Sequence, residues 1–141
     1  MHIETYDLSM DFDPPARRFR GRVEIRLTTS SDPLVLNASD LAIERASVDG
    51  RPVTAVADAA AQELRVPTGA PGDHAVVLEF RGTILPDGLA GMYVSPFGPG
   101  REILTTQMYP AGARRFFPCV DLPAEKAVLR VEVTVPADAV V

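Results

Sequence analysis

Residues 105–127, TTQMYPAGARRFFPCVDLPAEKA, hold the side chains of this chain that are best suited to chemistry. Arg114, Arg115 and Asp121 can form charge-assisted hydrogen bonds around a corner of the chain. Cys119 is the only cysteine, but no histidine lies near it, so a small buried side chain is favoured over a nucleophile. The segment is therefore either a corner of the fold or the edge of a binding site.

The motifs of the common catalytic sites are absent from the sequence. It has no HExxH, no GxSxG, no phosphate-binding glycine loop and no Cys/His pairing within one element. The two histidines, His2 and His74, are too few for a self-contained zinc site, and His74 falls at the edge of a strand pattern. No carboxylate pair stands out as acid and base. We predict no catalytic residue and no metal ligand in this chain.

Composition excludes several other classes of function. The chain has 141 residues, and its 14 basic against 19 acidic side chains give a net charge of −5, which implies no general affinity for nucleic acid or anionic membranes. It begins without a signal peptide and has no apolar stretch of the roughly 18 residues that span a bilayer. One cysteine excludes an internal disulfide and fits a reducing compartment. We expect a cytoplasmic protein without nucleic-acid or membrane partners.

The elements that position the 105–127 segment are predicted to be strands, because the dominant period of the sequence is two. In YDLSMDF the apolar residues from Tyr6 to Phe12 share one face, and FRGRVEIRL repeats the pattern from Phe19 to Leu27. ADAAAQE alone has helical composition, and it is too short for an independent helix. We predict a single all-β domain over residues 1–141, an antiparallel sandwich or curved, saddle-like open sheet of about 8–10 short strands.

Turn residues and the alternation of apolar side chains predict individual turns, a bulge and the last strand. Asp49-Gly50 predicts a two-residue hairpin turn, and a slip of the apolar parity between Ile43 and Val48 predicts a bulge. The glycine- and proline-rich stretch 82–102 predicts a long loop or hairpin. KAVLRVEVTV predicts a last strand with alternate residues facing the core: Ala127, Leu129, Val131, Val133 and Val135.

Four ordered motifs resemble the N-terminal domain of the aminopeptidase N-like zinc metallopeptidases. They are GMYVS at 91–95, TQMYP at 106–110, ARRFFPCVDLP at 113–123 and KA at 126–127. The strands before them, among them YDLSMDFDP and VVLEFRGTI, are also similar to that domain. The resemblance implies a structural motif made of Arg114, Phe117, Pro118, Cys119, Asp121, Pro123 and Lys126.

The resemblance also implies a function for the domain. In that family the catalytic zinc lies in a following domain, which this chain lacks, and the β domain forms one wall of the cleft that receives a peptide amino terminus. Gln107 matches a glutamine that lines the pocket for the first side chain of the peptide, and Met108 lies beside it. Tyr109 stands where the family keeps a glutamate that binds the substrate α-ammonium. The implied partners are the domain's own downstream catalytic domain and the peptide amino terminus, and zinc is the implied cofactor of that domain.

Other interpretations of these residues stay open. Gln107 could only satisfy a strand end, Met108 could belong to the core, and Tyr109 could be a turn residue before Pro110. The departures from the family at Tyr109, Leu122 and Val94 leave a second hypothesis, a non-catalytic interaction or scaffold module. A free-standing carbohydrate- or protein-binding sandwich is a third, disfavoured because the chain has three tyrosines and no tryptophan.

Overall fold

The computed structural model describes residues 1–88 and 90–139, which form eleven strands, one short 3-10 turn at Ala113–Arg115 and no α-helix. In chain order the strands are β1 (His2–Asp13), β2 (Arg18–Thr29), β3 (Leu34–Asn37), β4 (Ala42–Val48), β5 (Arg51–Pro52), β6 (Val56–Asp58), β7 (Glu63–Val66), β8 (Gly72–Thr83), β9 (Gly91–Pro96), β10 (Glu102–Gln107) and β11 (Val128–Thr134). The all-β prediction is confirmed. The strand number slightly exceeds the predicted range because β5 and β6 span only two and three residues.

Six strands form the main sheet, in the order β11-β1-β2-β8-β4-β5. Its centre is built by the three twelve-residue strands β1, β2 and β8, whose alternate residues are buried as their period of two predicts. Neighbouring strands are antiparallel except for β11, which pairs with β1 in parallel. Parallel neighbours need a long crossover, and the 105–127 segment supplies part of the one that returns the chain to β1.

The predicted turn and bulge are both present in β4 and its neighbours. Asp49 and Gly50 have φ angles of 51° and 76°, the left-handed pair that a tight hairpin turn requires, and Val48 pairs with Arg51 across it. The register between β4 and β8 shifts between Ile43 and Arg45. These local features follow from sequence because each depends on a few adjacent residues.

A second sheet, β3-β7-β6, contributes to the same hydrophobic core as the main sheet. Leu36 and Leu64 from this sheet and Val23 and Phe80 from the main sheet are at most 1% exposed. Two layers with one core match the predicted sandwich with open sheets. The remaining two strands, β9 and β10, form a separate ribbon where a loop or hairpin was predicted.

The expectation that alternate residues of β11 are buried is wrong. Leu129, Val131 and Val133 are aligned with the buried Tyr6, Leu8 and Met10 of β1, yet they are 51%, 51% and 45% exposed. Their parity is as predicted, but no described residues cover them as a second layer at this edge of the sheet. Only Val135, just after the strand, packs against the core.

Candidate functional site

The corner that follows β10 is joined to β3 by backbone hydrogen bonds. The amide of Asn37 donates to the carbonyl of Cys119 at 2.7 Å, and the amide of Cys119 donates to the carbonyl of Asn37 at 3.1 Å. The side chain of Asn37 adds a third bond, since its Oδ1 accepts from the amide of Asp121 at 3.0 Å. The segment 119–121 is thus held as a short extension of the second sheet.

An ion pair closes this corner from inside. Nε of Arg114 donates to Oδ2 of Asp121 at 2.9 Å, with side chains only 18% and 10% exposed. Nη1 of Arg114 donates to Oε1 of Gln62, and its carbonyl accepts from the amide of Ser39. The guanidinium therefore joins Asp121 to Gln62, as a planar multi-donor group can, and the backbone carbonyl of Arg114 adds the bond to Ser39.

Aromatic packing fixes the two phenylalanines of the corner in the core. The ring of Phe116 stacks on that of Phe12 and lies 5.9 Å from that of Phe19, centroid to centroid. Phe117 meets Tyr6 edge to face at 5.5 Å. The Tyr6 hydroxyl accepts from the amide of Val120 at 3.0 Å, and burial raises the pKa of this phenol to about 12.

The thiol of Cys119 is buried between these contacts and is 3% exposed. Burial, together with the nearby Asp121 carboxylate, raises the pKa of the thiol to about 12. A thiol with so high a pKa is not ionised at neutral pH, so it does not act as a nucleophile.

The β9–β10 ribbon holds the chain just before the corner. On its inner side the amide of Leu85 donates to the carbonyl of Met92, and the amide of Val94 donates to the carbonyl of Leu85. The side chains of Met92 and Val94 are buried. At the far end, Nη2 of Arg17 lies 2.8 and 2.7 Å from the two carboxylate oxygens of Glu102. The ribbon is anchored at both ends.

Gly112 lets the corner approach the end of β10 closely. The amide of Gly112 donates to the carbonyl of Met108 at 2.7 Å. A Cβ at Gly112 would lie against the backbone oxygen of Gln107 and 3.1 Å from the amide nitrogen of Gly91. Only a residue without a side chain fits between these two backbone groups.

The three residues expected to contact substrate leave this anchored end in different directions. Gln107 and Tyr109 are exposed, Tyr109 to 82%, whereas Met108 is half-buried and packs against the core. Oε1 of Gln107 accepts from the amide of Tyr109 at 3.0 Å, and the bond from Tyr109 to Pro110 is cis. The structure thus brings Gln107 and Tyr109 together on the surface and turns Met108 inward.

The residues of the expected structural motif divide into two groups. Arg114, Phe117, Pro118, Cys119 and Asp121 lie within the buried or half-buried corner. Pro123 and Lys126 are exposed on the connection to β11 and form no side-chain hydrogen bond or ion pair among the described residues. The structure therefore does not bring those two into the corner.

Several partners of the corner could not be identified from the sequence, notably Asn37, Gln62 and the Tyr6 hydroxyl. They lie between 52 and 114 residues away from the groups that they bind. A local sequence pattern carries no signal for contacts between such distant residues. The close approach at Gly112 had one sequence signal, a glycine between the TQMYP and ARRFFPCVDLP motifs.

The described residues hold no metal-binding cluster. No group of three or more His, Cys, Asp or Glu side chains could hold a metal ion in the part of the chain that the structure describes. Two depressions, of about 320 and 370 Å³, lie on the polar face of the main sheet and are not lined by residues 107–109. Across residues 1–88 and 90–139, no helix is long and apolar enough to cross a membrane.

The fold and the corner define a two-layer all-β domain that presents one firmly anchored, exposed strand end. The chain belongs to the peptidase M1 N-terminal domain family, whose family model matches residues 2–141. This membership agrees with the resemblance of its motifs to the N-terminal domain of the aminopeptidase N-like metallopeptidases.

Named relatives match nearly the whole chain. Aminopeptidase M1 of Arabidopsis thaliana is 36% identical over 155 residues, which cover 96% of this chain and 17% of that protein. Aminopeptidase N of Acetobacter pasteurianus is 33% identical over 95% of this chain and 40% of its own length. The chain therefore spans less than half of the length of either relative.

A solved structure matches the fold as well. The crystal structure of a two-domain M1 zinc metallopeptidase variant bound to L-arginine superposes with a TM-score of 0.77 at 25% identity. The match covers 96% of this chain and 33% of that protein. The β architecture described above is thus found in an M1 metallopeptidase.

Proposed function

We propose that this domain forms one wall of the peptide cleft in an M1 zinc aminopeptidase and recognises the substrate through the end of β10. The observation that carries the proposal is the display of Gln107 and Tyr109 on the surface, next to a corner held by the Arg114–Asp121 pair. Exposed polar groups on a rigid support are what a substrate-binding edge requires.

The hydrogen bond between Gln107 and Tyr109 prepares the edge for binding. Because Oε1 of Gln107 is used by the amide of Tyr109, its side-chain NH2 group is left to donate to a peptide carbonyl. Met108 fixes the strand between the two by packing inward. Its role here is to position its neighbours, with the peptide contacting Gln107 and Tyr109.

Tyr109 sets the expected selectivity of this edge. The motif resemblance places a glutamate at this position in the family, where a carboxylate would hold the substrate α-ammonium. A phenol accepts a hydrogen bond but carries no charge at neutral pH. We propose that a parent enzyme of this domain discriminates less between free and blocked peptide amino termini than one with a glutamate here.

Zinc belongs to another part of such an enzyme. The M1 relative of known structure is described as a zinc metallopeptidase, but the described residues of this chain do not fit the ion, since no three suitable ligands meet. We therefore assign no step of peptide hydrolysis to this domain. Its own contribution is to close the cleft and to orient the peptide, together with a downstream catalytic domain.

The activity of the isolated chain tests whether hydrolysis requires the downstream domain. The 141 residues with added zinc should hydrolyse no aminoacyl chromogenic substrate, whereas a longer protein with the downstream region should do so. Robust hydrolysis by the 141 residues alone would overturn the proposal. Loss of HExxH and its distal glutamate from the downstream reading frame would instead support a non-catalytic module, which the aminopeptidase names of the relatives do not favour.

The role of Tyr109 is tested in that longer protein by Tyr109→Glu. A charge-assisted bond to the substrate ammonium is worth roughly 1.5–3 kcal/mol, so kcat/KM for free amino termini should rise at least about tenfold relative to acetylated ones. Tyr109→Gln is the matched control, because it has the size of glutamate without its charge. If Gln and Glu had the same effect, residue 109 would not contact the substrate amine.

A further inference from the structure

A depression of about 370 Å³ on the polar face of the main sheet gathers several arginine side chains. It lies where β2 begins and β8 ends, and Arg18, Arg20 and Arg81 line it together with Thr83. In the described part of the chain its one acidic lining residue is Asp40. A concave surface with charge of mainly one sign concentrates ions of the opposite sign, so this depression attracts anions although the whole chain is acidic.

The register of the sheet places two of these arginines directly opposite each other. Arg20 of β2 is the partner of Arg81 in β8. The Cβ atoms of such cross-strand partners lie about 4.5–5.5 Å apart, and like charges in this arrangement repel each other. An anion between the two guanidinium groups would replace this repulsion with attraction.

The acids beside the depression leave much of its positive charge uncompensated. Nε of Arg81 lies 3.4 Å from Oε1 of Glu44, but the two side chains stay 60% and 38% exposed, so solvent screens this contact. Asp40 is already engaged by a cation that does not line the depression, since Nη1 of Arg115 lies 3.2 Å from its Oδ2.

The other two arginines have acids opposite them on β1 but form no ion pair with them. The register places Asp13 opposite Arg18 and Asp11 opposite Arg20. Both arginines are exposed, and neither lies within ion-pair distance of a carboxylate among the residues that the structure describes. Oδ1 of Asp13 instead accepts from the amide of Ala16 at 3.2 Å. Two guanidinium groups without an ionic partner therefore line the depression.

We propose that this depression binds the phosphate group of a small soluble molecule through Arg18, Arg20 and Arg81. The planar fork of a guanidinium matches two phosphate oxygens, and a phosphate offers more oxygens and more charge than a carboxylate, which suits three arginines. The hydroxyl of Thr83 supplies a further donor. A bilayer of anionic lipids is disfavoured as the source of the phosphate by the net charge of −5. The site is separate from the peptide edge at Gln107 and does not depend on it.

Titration of the 141-residue chain with inorganic pyrophosphate at constant ionic strength tests the site. In heteronuclear NMR spectra the amide resonances of residues 18–20 and 81–83 should shift and saturate, with a dissociation constant of about 1 mM or below. Arg20→Gln and Arg81→Gln each remove one guanidinium without adding a charge, and each should raise this constant at least about tenfold. The same spectra show whether each variant is folded.

Arg26→Gln is the matched control on the same strand. Arg26 lies on the same face of β2 as Arg20, roughly 20 Å farther along the strand, and its Nη2 is 3.0 Å from Oε1 of Glu24. Because this distance exceeds the screening length of physiological salt, the control should change the constant by less than about twofold. Sodium acetate should bind the parent chain at least about tenfold more weakly than pyrophosphate.

Several outcomes would overturn the proposal. Shifts that never saturate, or that Arg26→Gln reduces as much as Arg20→Gln does, would show only a general attraction of ions. Equal binding of acetate would reject the preference for phosphate. Binding to vesicles of phosphatidylcholine and phosphatidic acid without binding to pyrophosphate would assign the arginines to a membrane surface. Calorimetric titration of the longer protein with its downstream region should give the same constant, and loss of binding there would show that the depression is covered. None of these measurements depends on peptide hydrolysis, so this proposal and the proposed function fail independently.

Discussion

The carboxylate of Asp121 accepts a hydrogen bond from Nε of Arg114 at 2.9 Å, seven residues earlier in the chain. This contact closes the loop that contains Phe116, Phe117 and Cys119, all of which are buried. It also lies next to Gly112, which touches the end of β10. The pair therefore links core packing to the placement of the proposed substrate-binding residues.

Loss of the Asp121 carboxylate should destabilise the domain. Asp121→Ala removes the carboxylate that accepts from Arg114 and leaves the half-buried guanidinium without its charged partner. The free energy of unfolding should therefore fall by about 2–3 kcal/mol. Urea denaturation measures the change. Asp11→Ala, at an exposed position without a side-chain hydrogen bond among the described residues, is the control and should change it by less than about 0.5 kcal/mol.

A side chain at Gly112 should displace the end of β10. In Gly112→Ala the added methyl meets the carbonyl of Gln107 and the amide of Gly91, and backbone groups cannot rotate away from it. We expect the free energy of unfolding to fall by about 1–3 kcal/mol. We also expect faster hydrogen exchange at the amide of residue 112, which donates to the carbonyl of Met108. Ala111→Ser, an exposed neighbour, is the control. Unchanged exchange in Gly112→Ala would contradict the close contact.

Much of this fold was predictable because its signals are local. The long strands follow from alternation, and the β4–β5 turn follows from Asp49-Gly50. The exposure of Leu129 was not predictable, because parity tells which face a residue takes but not whether another layer covers that face. The parallel pairing of β11 with β1 joins segments more than a hundred residues apart and has no local signature either.

The candidate site was predictable only in part, and by resemblance. Gln107 is the last residue of β10, and Met108 and Tyr109 follow the strand, so the exposure of Gln107 and Tyr109 and the half-buried position of Met108 depend on the turn and not on strand alternation. The supports of the site were not predictable, since Asn37 binds Asp121 across 84 residues and Tyr6 binds Val120 across 114. Hydrogen bonds of this kind depend on how the sheets meet, which no short pattern encodes.

The thiol of Cys119 should react with aromatic disulfide reagents only after unfolding. A pKa of about 12 leaves so little thiolate at pH 8 that labelling of the folded chain should be at least about a thousandfold slower than in urea. Absorbance of the released thiolate measures both rates. The control is Ser30→Cys in a Cys119→Ser chain, which carries its thiol in an exposed turn. Rapid labelling of folded parent protein would contradict burial of Cys119.

The contact between His74 and Asp49 should make stability depend on pH. Nδ1 of His74 lies 2.8 Å from Oδ2 of Asp49, and its Nε2 lies 2.9 Å from the carbonyl oxygen of Ala70. Both neighbours are acceptors, so both ring nitrogens carry protons when the two bonds form together. The bond to Asp49, and then that to Ala70, raise the pKa of His74 above its usual 6.5. The pKa of Asp49 is lowered from its usual 3.8 by the amide of Ala75 first and by His74 next.

The signs of these two shifts define the pH window. Because the pKa of His74 is raised on folding, its contribution is complete below about pH 6.5 and is lost as pH rises through the folded value. Asp49 has a lowered pKa, so its contribution is present above about pH 3.8 and is lost as pH falls through the folded value. Parent protein and His74→Gln should differ most in urea midpoint near pH 5.5 and least near pH 9. His2→Gln, at the exposed start of β1, is the control. A constant difference between parent and His74→Gln across this range would show that the imidazole is not protonated on folding.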